Sequence, residues 1–131
     1  MPTQIKIIRA SEFIIATPQG QVDLEKSKQL LVKIALASAT LSAHEILLDI
    51  RKSGQELSAI DLWQLAAELS DRRTVFAGKI AILCQLNHSN LADFFALCAQ
   101  NRGFPVKAFT SYEQAVEWLI EGNPQLLEEI V

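Results

Sequence analysis

Within the stretch DIRKSGQELSAIDLW, residues 49 to 63, Asp49, Arg51, Lys52, Ser53 and Ser58 place a carboxylate, two cations and two hydroxyls close together in sequence. It follows directly on the apolar run Ile46-Leu47-Leu48. Cations and hydroxyls beside the start of a helix suit a phosphate or another small anion, because the first backbone N–H groups of a helix favour negative charge. A serine there is also a candidate for phosphorylation. Ser58 has a simpler role as well. Asp61 stands three residues later, and S-x-x-D lets the serine oxygen accept from the backbone N–H near Asp61, worth about 1 kcal/mol over alanine.

A second set of polar groups is expected to converge with the first. It comprises Asn87, His88 and Ser89 of LNHSN, and Thr110, Ser111 and Tyr112 of TSY. These residue types are equally those of ordinary loops and helix caps. A Ser–His hydrolase pair can be assembled on paper from Ser58 or Ser53 with His88, oriented by Asp49. Yet no GxSxG precedes either serine. Gly54 and Gly78 stand outside any GxGxxG or GxxxxGK[ST] phosphate loop. No catalytic residue and no cofactor is therefore expected. His44 and His88 share no metal-ligand spacing with Cys84 or Cys98, so no metal site is expected either. Both cysteines read as buried free thiols.

The elements that must position these groups can be read from periodicity. With 131 residues, half of them hydrophobic, the chain is long enough for one domain with a sizeable core. A net charge of −3 argues against nucleic acid as the main partner. No apolar run approaches the roughly 20 residues of a membrane span, and MPTQIKIIRA is too polar for a signal peptide. A cytoplasmic location is expected.

QIKIIRA and EFIIATPQ read as two strands in a tight hairpin, the second ended by Pro18 and Gly20. A helix is predicted from Val22 to about Ser38. EILLDI and GKIAILCQ read as strands covered on both faces, and PVKAFT as the last strand. Helices are predicted from Ser58 to Ser70, over SNLADFFALCAQN with Leu91, Phe94, Phe95 and Cys98 inward, and over SYEQAVEWLIEG. A short helix over NPQLLEEIV is expected to follow. The order β-β-α-β-α-β-α-β-α predicts a single-domain α/β fold, with a mixed, mostly parallel sheet and helices packed on it.

This layout resembles the STAS domains, and more closely their SpoIIAA-like branch. The residues that carry the resemblance are the LLDIR strand and the closing helix with Phe109, Ser111, Ala115, Trp118 and Leu119. It covers about Gln4 to Gly122. In anti-sigma-factor antagonists of that family, a strand ending in Asp-Leu-Ser leads to an Asp-Ser-Ser-Gly helix start whose serine is phosphorylated by a partner kinase. Counted from Asp49, Leu57 here occupies the aspartate position, Ser58 the first serine, Ala59 the second and Ile60 the glycine. The resemblance implies a bacterial, non-enzymatic regulatory domain that binds a protein partner or forms a homodimer. Its dimer contact would be the first strand pair or Leu126, Leu127, Ile130 and Val131. The branch is also similar to lipid-carrying Sec14-type domains, which implies a small anionic or lipid-like ligand as the alternative. The helix segment LVKIALASATL would line the cavity for it.

Overall fold

A computed structural model describes residues 4–10, 13–41, 45–73, 76 and 78–120, the first segment as backbone only. Strand β1 (Gln4–Ala10) pairs antiparallel with β2 (Phe13–Val22), in a register running from Gln4↔Gln19 to Ala10↔Phe13. Helix α1 (Leu24–Leu41) leads to β3 (Glu45–Asp49), and a short β4 (Ser53–Gln55) precedes α2 (Ala59–Asp71). Then come β5 (Ile80–Leu83), α3 (Ser89–Gln100), β6 (Val106–Phe109) and α4 (Tyr112–Leu119). The sheet runs β1-β2-β3-β5-β6, with β4 added beside β2. All pairings beyond β1–β2 are parallel. The α/β class holds, and so does the predicted element order apart from the added β4.

The period of two in β3 and β5 divides the core between the sheet's faces. Ile46, Ile80 and Ile82 face α1, α2 and α3, where they join Leu30, Ile34, Leu69 and Ala96. Leu47, Ala81 and Leu83 face the other way, onto Ala115, Val116 and Leu119 of α4. Strands flanked on both faces must be apolar at nearly every position, which explains their continuous hydrophobic runs.

Several details differ from expectation. Strand β2 does not end at Pro18 and Gly20 but runs on to Val22. Pro18 falls in the gap between the β3 register, which ends at Ala16↔Leu48, and the β4 register, which begins at Gly20↔Ser53. Its missing N–H therefore costs no bond to β3 or β4, while Pro18 still stands opposite Ile5 of β1, and Gly20 takes a positive φ of 90°, which the absence of a Cβ allows. Helix α1 starts two residues later than predicted and continues to Leu41.

The buried stripe of α3 is Ala92, Ala96 and Ala99, while Leu91, Phe94, Phe95 and Cys98 are half-buried flanks. Small side chains let the helix approach the sheet closely, so the larger ones splay to its sides. Gly103 ends this helix with φ of 89°, as its position predicts. The expected terminal helix and the apolar residues Leu126 to Val131 lie outside the described residues.

Of the two cysteines, only Cys84 is buried, with its thiol directed at the Phe109 carbonyl 3.6 Å away. Burial pushes the Cys84 thiol above its ordinary value, with the charge of Asp93 adding to the effect. The folded chain therefore holds this proton where the unfolded chain would lose it, so its contribution to stability declines as pH rises past the ordinary thiol range. Iodoacetamide at pH 8 is expected to alkylate Cys98 first and Cys84 only on unfolding, as read by peptide mass mapping. Equal labelling of both in the folded protein would contradict the placement of Cys84.

Candidate functional site

Asp49 ends β3 and organises the turn that follows. Its carboxylate accepts from the Arg51 backbone N–H at 3.1 Å and from the Arg51 guanidinium at 2.9 Å on each oxygen. Those hydrogen bonds raise the Arg51 pKa further above its ordinary value, against the opposing effect of burial; Asp49 charge and Tyr112 add smaller contributions. Ser53 is buried and donates to the Ile50 carbonyl at 3.0 Å. Gln85, just past the end of β5, donates its side-chain amide to the Arg51 carbonyl at 2.7 Å. The turn after β3 is thus tied to the end of β5. Sequence reasoning missed Gln85; its only signal was a polar residue at the carboxyl end of a buried strand.

Ser58 is the N-cap of α2, in extended geometry, and the full capping box forms. The Asp61 backbone N–H donates to Ser58 Oγ at 3.2 Å, and the Ser58 N–H donates to Asp61 Oδ2 at 3.0 Å. The residue remains exposed. Ser58→Ala is expected to lower stability by about 1 kcal/mol in urea unfolding, with Ser58→Asp close to wild type, since aspartate caps as well as serine. No loss in the alanine variant would contradict the cap.

Among the other expected site residues, Tyr112 has an electrostatic link to Arg51 of this turn. Lys52 is exposed in the turn, Thr110 is exposed, and Ser111 caps α4 by accepting from the Gln114 N–H at 3.4 Å. Tyr112 opens α4 and is exposed. Asn87 and His88 belong to a short 3-10 turn, Leu86–His88, and half-buried Ser89 begins α3. His88 Nδ1 is buried and makes no hydrogen bond, while Ser53 Oγ and Ser58 Oγ are engaged with backbone groups. Nδ1 therefore pairs with neither serine. Among the described residues, no group of three or more His, Cys, Asp and Glu could hold a metal, and no helix is long and apolar enough to cross a membrane.

Two features of the surface bear on binding. Helix α2 buries Leu62, Leu65, Ala66 and Leu69 but presents Ile60 and Trp63 to solvent, with 69% and 54% of their surface exposed. The Arg102 guanidinium lies 5.3 Å from the centre of the Trp63 ring. Beneath the helices, a pocket of about 80 Å³ opens between the sheet and α1, α2 and α3. Leu30, Ile82, Leu62, Leu65, Leu91 and Phe95 are among its walls, with His88 at its lining. Of LVKIALASATL, only Leu31 reaches it.

No protein-family model and no curated protein matches the chain. Solved structures do. An uncharacterised protein of the DUF3478 family from Shewanella loihica, with a SpoIIAA-like fold, is 18% identical over 89% of this chain and 93% of its own, with a TM-score of 0.55. An anti-sigma factor antagonist from Mycobacterium paratuberculosis is 12% identical over 92% and 96%, with a TM-score of 0.61. The anti-sigma factor antagonist SpoIIAA in its unphosphorylated form is 14% identical over 92% and 99%, with a TM-score of 0.54. The chain therefore has a SpoIIAA-like fold, as the resemblance implied.

Proposed function

We propose that this chain is a non-enzymatic regulatory domain that works by binding a protein through the first turns of α2. The observation that carries the reading is the exposure of Ile60 and Trp63 immediately after the Ser58 cap. Large apolar side chains held outward on a rigid, capped helix are the usual anchors of a protein interface. The fold neighbours support it, since two of them are anti-sigma factor antagonists and SpoIIAA has been solved in both unphosphorylated and phosphorylated forms. The partner is a protein of another kind or a second copy of this chain, met in the cytoplasm.

Ser58 is the residue through which such binding would be regulated. A phosphate there would sit at a helix N-terminus, close in sequence to the exposed cations Arg51 and Lys52. The missing second serine and glycine make Ser58 the single hydroxyl at this helix start. The test is partner capture by Ser58→Asp and Ser58→Ala. Loss with aspartate but not alanine is the expected result, and equal capture by both would overturn the switch while leaving the docking face in place.

A further inference from the structure

We propose that the partner docked on α2 presents an acidic peptide segment, whose carboxylates seat on Arg102 and Arg73 at the far end of that helix; this rests on the docking reading above and names the partner's chemistry. Ile60, Trp63 and Ser70 lie on one side of α2 by their helical spacing. Arg102, just past the end of α3, reaches onto that side. Its guanidinium lies 5.3 Å from the centre of the Trp63 ring, and its Nη1 stands 3.5 Å from Ser70 Oγ. Arg73 extends the row. It donates to the Arg102 carbonyl at 2.8 Å and lies 4.5 Å over the ring of buried Phe104.

These contacts hold both guanidiniums in place without neutralising them. Among the described residues, neither is in an ion pair. Asp71 ends α2, and Arg72, Arg73 and Arg102 outnumber it at this end of the helices. The carbonyls that end α2 and α3 account for cations here, and the aromatic rings fix the planes of two of them. A stacked guanidinium keeps its in-plane N–H donors at its edge, where a carboxylate is met by two parallel bonds. Nucleic acids and anionic bilayers are held instead by many cations spread over a wide face. Here the cations are few, their attraction is screened beyond about 8 Å, and the chain as a whole carries a charge of −3. The exposed Ile60 and Trp63 beside them call for an apolar side chain on the same segment. Ser70 stands about 15 Å from Ile60 along the helix axis, a span covered by about ten residues of helix or five of extended chain. A peptide with a large apolar residue at one end and acidic residues at the other meets both.

The test is selection from random peptides of about twelve residues displayed on phage, long enough for that span, with affinities of selected peptides read by fluorescence polarisation. The wild type is expected to enrich aspartate and glutamate in peptides that also carry a large apolar residue. The double variant Arg73→Glu, Arg102→Glu should keep the apolar residue and turn the charge preference to lysine and arginine. For an acidic peptide selected by the wild type, Arg102→Gln should weaken binding about tenfold, and so should replacing the peptide's carboxylates by amides. Duplex DNA and phosphatidylcholine–phosphatidylserine vesicles are not expected to displace it. No enriched peptide, enrichment without acidic residues, an acidic preference that survives in the double variant, or displacement by DNA or vesicles would each overturn the acidic partner. Ile60→Ser separates this from the docking reading. If it abolishes selection of peptides that show no acidic preference, docking on α2 stands and the acidic partner falls. If it leaves an acidic preference and its affinity untouched, the arginines bind without α2 and the docking reading falls. The comparison of the acidic peptide with its amide form uses the wild type alone and stands even if a variant does not fold.

Discussion

Truncation of Leu47 to alanine is expected to cost about 3 kcal/mol and to lower the melting temperature by roughly 10 °C. Leu47 lies in the middle of β3, paired with Ile15 on one side and Ala81 on the other, and none of its surface reaches solvent. It packs in the cluster formed with Phe13, Leu83 and α4. Removing its branched end leaves a void that three rigid elements can close only in part, so the lost contacts add to the transfer term. Leu97→Ala on α3 provides the contrast, because that side chain is more than half exposed and the change should stay within about 0.5 kcal/mol. Urea unfolding measures both. Similar losses at the two positions would contradict the packing of β3 against α4.

The second large effect is on binding. Trp63→Ala is expected to weaken a purified partner by about 30-fold or more, the range for a central aromatic anchor. Its stability should change by about 1 kcal/mol at most, since the ring is half out of the core and its contact with Arg102 is an exposed cation–π pair. Biolayer interferometry on immobilised partner, beside urea unfolding of the free domain, separates the two quantities. A variant that folds normally and binds as tightly as wild type would remove Trp63 from the interface.

What could be read ahead of the structure was what local chemistry dictates. The Ser58 box is readable because its two partners stand three residues apart on one chain segment. The strands β3 and β5 are readable because burial on both faces demands unbroken apolar runs. Strand β4 could not be read, since Ser53, Gly54 and Gln55 have no strand character of their own and are extended only because β2 offers an unpaired edge. The passage of β2 through Pro18 was hidden for the same reason. The burial of α3 was misjudged because a helix lying close to a sheet selects alanine rather than its largest apolar residues.

The site divided in the same way. Asp49 and Arg51 were candidates from sequence; the structure joins them to each other, and Gln85 ties the Arg51 carbonyl to the end of β5. The exposure of Ile60 and Trp63 was concealed by the breadth of the apolar stripe on α2, since hydrophobicity does not say on which side a helix meets its sheet. The pocket is a deficit of volume shared among several elements, and no single segment records it.

Affinity capture followed by native mass spectrometry, run in parallel on the wild type, Ile60→Asp and Leu97→Ala, tests the binding role most directly. The expected result is a protein held in fixed stoichiometry by the wild type and by Leu97→Ala, and absent from Ile60→Asp. Ile60 is among the most exposed apolar residues described, so the aspartate should leave the fold intact. The same proteins held by all three chains, or none held by the wild type, would contradict a regulatory domain that docks through α2.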